Sequence, residues 1–90
     1  MERLHAVIHG RVQGVGFRYF LYRKGRELGL RGWVRNNDGG TVELVAEGER
    51  ADLELFRAAA EEGPRQARVE RVDARWSAAA GGLPDFDLAG

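Results

Sequence analysis

Residues Gly10 to Arg18 read GRVQGVGFR, a glycine-rich turn that ends on an arginine. Gly10, Gly14 and Gly16 admit positive φ, so successive backbone N–H groups there can converge on one point and hold an oxyanion. A helix that begins at this turn adds its unpaired N-terminal donors and the positive end of its dipole. Arg18 falls in the first helical turn, where a cation is unfavourable by about 0.3–1 kcal/mol unless an anion offsets it. The ordinary use of such a turn is a tight corner without a ligand. The arginine tips the balance, because its planar fork can grip two phosphate oxygens while the loop amides hold the others.

Little in the chain can attack such a ligand. It has no cysteine, one serine, Ser77, and one threonine, Thr41, so a paired nucleophile and base has almost nothing to be built from. Water is the nucleophile that remains. His5 and His9, four residues apart on a strand, are separated by roughly 13 Å and cannot share a metal; they read as sheet-surface histidines. No HExxH, EF-hand or aspartate cluster is present, and the expectation is chemistry without a metal. The GxGxxG dinucleotide pattern fails, because the place of its third glycine is Tyr19. The Walker A pattern fails because Lys24, the one lysine, lacks the flanking glycine and hydroxyl residue. Asn36 and Asn37 precede a glycine pair and are natural turn openers. Asn36 also shares a strand face with Val34, and its amide offers a donor and an acceptor that can orient a water without deprotonating it.

The elements that must position these groups follow from periodicity. Arg3–His9 alternates Leu4, Ala6 and Ile8 against His5, Val7 and His9, as a half-buried strand does. Phe17, Phe20, Leu21 and Leu28 recur at helical spacing before Gly29, giving a helix from Gly16 or Phe17 to Leu28. Leu30–Asn37 and Thr41–Glu47 form a hairpin around Asn37, Asp38, Gly39 and Gly40. A second helix spans Arg50–Glu62 and stops at Gly63 and Pro64. Arg68–Trp76 is a strand whose imperfect alternation suggests a bulge, and Phe86 with Leu88 forms a short final pairing. The order predicts an α+β, ferredoxin-like βαββαβ sandwich, an antiparallel sheet with two helices on one face.

Ninety residues suit one domain, residues 1–90, with a thin core. Fourteen basic and fourteen acidic side chains cancel, which removes the net field that draws proteins onto nucleic acids or anionic membranes. The same fold serves RNA-binding modules, but those stack bases on sheet aromatics, and this chain offers no such strand and no basic face. With no secretory or membrane-spanning run, the expectation is a cytoplasmic monomer without nucleic-acid or membrane partners.

Two stretches carry a family resemblance. IHGRVQGVGFR, Ile8–Arg18, resembles the phosphate-binding loop of the acylphosphatase family, and GWVRNNDGGTVELVAEG, Gly32–Gly48, resembles that family's second signature. The resemblance implies hydrolysis of the carboxyl–phosphate bond of a small acyl phosphate, without a cofactor. It assigns phosphate binding to Arg18 and to the amides of Gln13, Gly14, Val15, Gly16, Phe17 and Arg18. It also assigns orientation of the attacking water to Asn36, and the substrate itself accepts the proton.

Overall fold

The computed structural model describes all residues from Met1 to Gly90. The elements run β1 (Glu2–Arg11), α1 (Phe17–Glu27), β2 (Arg31–Asn36), β3 (Val42–Gly48), α2 (Arg50–Glu62), β4 (Arg68–Ala78) and β5 (Asp87–Leu88). They form one sheet in the order β4-β1-β3-β2-β5. The ferredoxin-like α+β arrangement expected from the element order is the observed one.

The buried stripes explain the layering. Leu4, Ala6 and Ile8 of β1, Val34 of β2 and Val42, Leu44 and Ala46 of β3 are all buried. They point to one side of the pleat, where α1 supplies Phe17, Leu21 and Gly25 and α2 supplies Leu53, Phe56 and Ala60. On the opposite face the charges pair across strands. His5 Nε2 lies 2.6 Å from Glu43 Oε2, and His9 Nε2 lies 2.9 Å from Asp73 Oδ2. Both histidines thus face outward, as the alternation predicts.

Two expectations need correction. The sheet is not wholly antiparallel: β5 runs parallel to β2, with Trp33 opposite Asp87 and Val34 opposite Leu88. The reason is where the chain arrives. β4 ends beside the amino terminus, the following loop passes the Glu47 side chain near the end of β3, and Asp85 bridges to Arg31 where β2 begins. From there the chain can only run alongside β2. Glu47 secures this loop, accepting from the Ala80 and Gly81 N–H groups at 2.8 and 3.1 Å. Those backbone donors, with Arg3, hold its carboxyl below the ordinary range although burial opposes them.

The second correction concerns Gly10, which belongs to the sheet and not to the turn that follows. β1 continues to Arg11, and its register against β4 shifts between His9, opposite Arg71, and Gly10, opposite Val69. Glu70 is therefore the extra residue of the bulge suspected in β4. Gly10 has φ of 127°, and a Cβ there would stand 2.1 Å from the Arg68 carbonyl oxygen. Close approach of the β4 backbone requires this glycine.

Candidate active site

Between the end of β1 and the first turn of α1, Gly14 and Gly16 hold φ of 74° and 78°. Gly16 is the N-cap of α1, no side chain caps that end, and no acidic residue lies in its first turn. The first helical hydrogen bond runs from Phe20 N–H to Gly16 O at 3.0 Å. None of the N–H groups from Gln13 to Tyr19 donates to a backbone or side-chain acceptor of the protein. A run of unpaired donors in a loop with two left-handed glycines, ending on an uncapped helix, is an arrangement able to hold negative charge.

These groups border a recess of about 180 Å³ lined by Val12, Gly14, Gly16, Phe17, Arg18, Tyr19, Asn36 and Leu88. It therefore joins residues from three separate stretches of chain. Phe17 is buried and forms part of the wall, whereas Arg18 and Asn36 are exposed. None of the ion pairs of the molecule engages Arg18. Its guanidinium stands at the helix end without a carboxylate to neutralise it. No histidine, aspartate or glutamate lines the recess, so it is electropositive and contains no general base.

Strand parity separates the two asparagines. Asn36 ends β2 on the same side as buried Val34 and lines the recess. Asn37 is taken up by the turn: its N–H donates to Thr41 O at 2.9 Å, and its Nδ2 donates to Thr41 Oγ1 at 3.1 Å. Two residues of the expected cradle do not line the recess. The Val15 side chain packs against the core, and the Gln13 side chain turns to the β2–β3 connection. In both cases only the backbone is left to meet a ligand.

Sequence reasoning passed over Tyr19, Leu88 and the extent to which the carboxy-terminal segment is fixed. Phe86 is fully buried, with its ring 5.1 Å from that of Phe56 in an edge-to-face contact. Its carbonyl accepts from Arg26 Nε at 2.6 Å, and Ala89 N–H donates to Val34 O at 2.8 Å. The tail thereby delivers Leu88 to the recess. The nearby pattern Phe86-x-Leu88 was the only signal in the sequence.

The acylphosphatase family model matches residues 4–88, a span that includes every residue lining the recess, from Val12 to Leu88. The chain belongs to the acylphosphatase family. An acylphosphatase of Salinibacter ruber is 53% identical over 85 residues, covering 94% of this chain and 90% of the relative. One of Thermus thermophilus is 52% identical over 81 residues, covering 90% and 92%. The crystal structure of the acylphosphatase from Bacillus subtilis superposes with a TM-score of 0.96 at 36% identity, each chain covered completely. Acylphosphatases are hydrolases of acyl phosphates, and no helix of this chain is long and apolar enough to cross a membrane.

Proposed function

We propose that this acylphosphatase holds the phosphoryl group of a small acyl phosphate in the loop from Gln13 to Arg18 and directs water at it from Asn36. The unpaired N–H groups of Gln13, Gly14, Val15, Gly16, Phe17 and Arg18 carry the reading. They supply fixed dipoles for the charged oxygens, and the Arg18 fork bridges two of them. The Asn36 amide accepts a hydrogen bond from the water and aims its lone pair at phosphorus, in line with the departing carboxylate. A carboxylate is a good leaving group, so the transition state is loose and needs charge stabilisation more than a strong nucleophile. With no histidine, aspartate or glutamate side chain in the recess, the phosphoryl oxygen takes the water's proton. The carboxyl–phosphate bond breaks, and carboxylate and inorganic phosphate leave. No step calls for a metal, and no group of three or more His, Cys, Asp or Glu side chains is gathered anywhere in the fold to hold one.

Steady-state kinetics on benzoyl phosphate, with inorganic phosphate as competitive inhibitor, separates the two roles. Asn36→Ala should lower kcat by about a hundredfold to a thousandfold with little change in phosphate affinity. Arg18→Ala should weaken phosphate binding and turnover together. Near-normal turnover in Asn36→Ala refutes the water-positioning role.

The open sheet face gives no support to an RNA-binding reading. Arg35 and Arg71 are paired there with Glu43 and Asp73, and Trp33 is covered by the Arg35 guanidinium at 5.1 Å.

A further inference from the structure

The phosphate loop and the hairpin that carries Asn36 are joined by one side chain. Gln13 Nε2 donates to Asn37 O at 2.8 Å and to Thr41 O at 2.9 Å. Those carbonyls face each other across the mouth of the β2–β3 connection, directly after Asn36. The mouth is itself closed by Asn37 N–H to Thr41 O at 2.9 Å. Thr41 O thus accepts twice, and both amide protons of Gln13 are committed. No other hydrogen bond links residues 12–16 to the hairpin.

We propose that the Gln13 side chain is a positioning residue that sets the place of the bound phosphorus relative to the Asn36 amide. This rests on the water-directing reading of Asn36. Phosphate is gripped by loop donors and Arg18, all on one segment, so its affinity depends on that segment alone. Turnover depends in addition on how that segment lies against β2, because the attacking water is held from the other side. A misplacement of about 1 Å between reacting groups can cost a hundredfold in rate. The residue type fits this task. Two carbonyl oxygens need a forked donor without charge, which an amide provides and a carboxylate cannot. The loop backbone supplies no such tie, since none of the N–H groups from Gln13 to Gly16 donates to an acceptor of the protein.

The test is Gln13→Met, which keeps side-chain length and removes both donors, measured alone and in the Asn36→Ala background. The expected result is a fall in kcat of about tenfold or more, with the inhibition constant for inorganic phosphate changed far less, and almost no further fall when Asn36 is already alanine. An unchanged kcat in folded Gln13→Met overturns the proposal. So does a rise in the phosphate inhibition constant that matches the fall in kcat, or a fall that multiplies with that of Asn36→Ala. A near-normal kcat in Asn36→Ala alone is a different failure, that of the parent reading. The wild-type protein gives a check independent of any variant's folding: the two Gln13 Nε2 protons should exchange with solvent more slowly than those of an exposed side-chain amide. Exchange as fast as that of an exposed amide would also overturn the proposal.

Discussion

Helix α1 is bounded by two glycines whose substitution separates the role of the anion loop from simple stability. Gly16 at its start has φ of 78° and Gly29 after its end has φ of 69°, and a Cβ at either meets nothing within 4 Å. With no clash to relieve, Gly→Ala at each position costs only the left-handed backbone penalty, about 1–2 kcal/mol. For a domain of this size that corresponds to a Tm lower by roughly 4–16 °C. Gly29→Ala should show that loss with kcat and phosphate inhibition unchanged, because Gly29 lies at the opposite end of the helix from the recess. At Gly16 the same penalty has two outlets. If the loop keeps its curl, the strain stays in the fold and lowers Tm. If it relaxes, binding must restore the curl, and the inhibition constant for phosphate rises by a factor of about 5–30, the equivalent of 1–2 kcal/mol. Thermal melts together with phosphate inhibition of benzoyl phosphate hydrolysis measure both outlets. The reasoning is refuted if Gly16→Ala keeps wild-type Tm and wild-type phosphate affinity at once.

Gly25→Ala places a Cβ 2.5 Å from Phe86 Cγ; the overpacking, about 1–3 kcal/mol, exceeds the helix-propensity gain of roughly 0.5–1 kcal/mol, so urea denaturation should show a lower midpoint. Glu43, held by His5 first and by Arg35 and Asn37, and Glu47, held by the Ala80 N–H first and by Arg3 and the Gly81 N–H, both have carboxyls below the ordinary value of 4.5. Their stabilisation is complete above that value and is lost as pH falls through the depressed folded-state value. The urea midpoint should therefore hold steady above about pH 5 and drop below 4.5, with a shallower drop in Glu47→Gln; a midpoint that rises on acidification contradicts the sign. Added chelator should leave the rate of benzoyl phosphate hydrolysis unchanged, and a loss restored by a divalent cation would contradict the metal-free reading.

Local patterns made much of this legible, and the misses share a cause. The bounds of α2 are those read from the sequence, because Gly63 and Pro64 end it whatever surrounds it. Asn36 could be told from Asn37 by strand parity with Val34, which needs only the period of two. Gly10 was misassigned because positive φ is equally the mark of a ligand loop and of a bulge, and only the nearness of Arg68 O decides between them. Phe86 belongs to the core through partners on α1 and α2, and the segment before it has no periodicity to announce burial. Glu47 lies on the polar side of β3 by alternation, yet its side chain is only 6% exposed because the distant Ala80–Gly81 loop folds over it. The Gln13 tie spans 24 and 28 residues of sequence. Contacts of that range are set by the packed fold, and spacing along the chain cannot show them.

Titration of the uniformly ¹⁵N-labelled protein with inorganic phosphate tests the anion site most directly. The backbone amides from Gln13 to Tyr19, the Arg18 Nε–H and the Asn36 side-chain amide should shift together and saturate at the concentration at which phosphate inhibits hydrolysis. Saturating shifts centred elsewhere, such as on Arg23 and Lys24 or on Gly81 and Gly82, with the loop amides unmoved, would contradict the account.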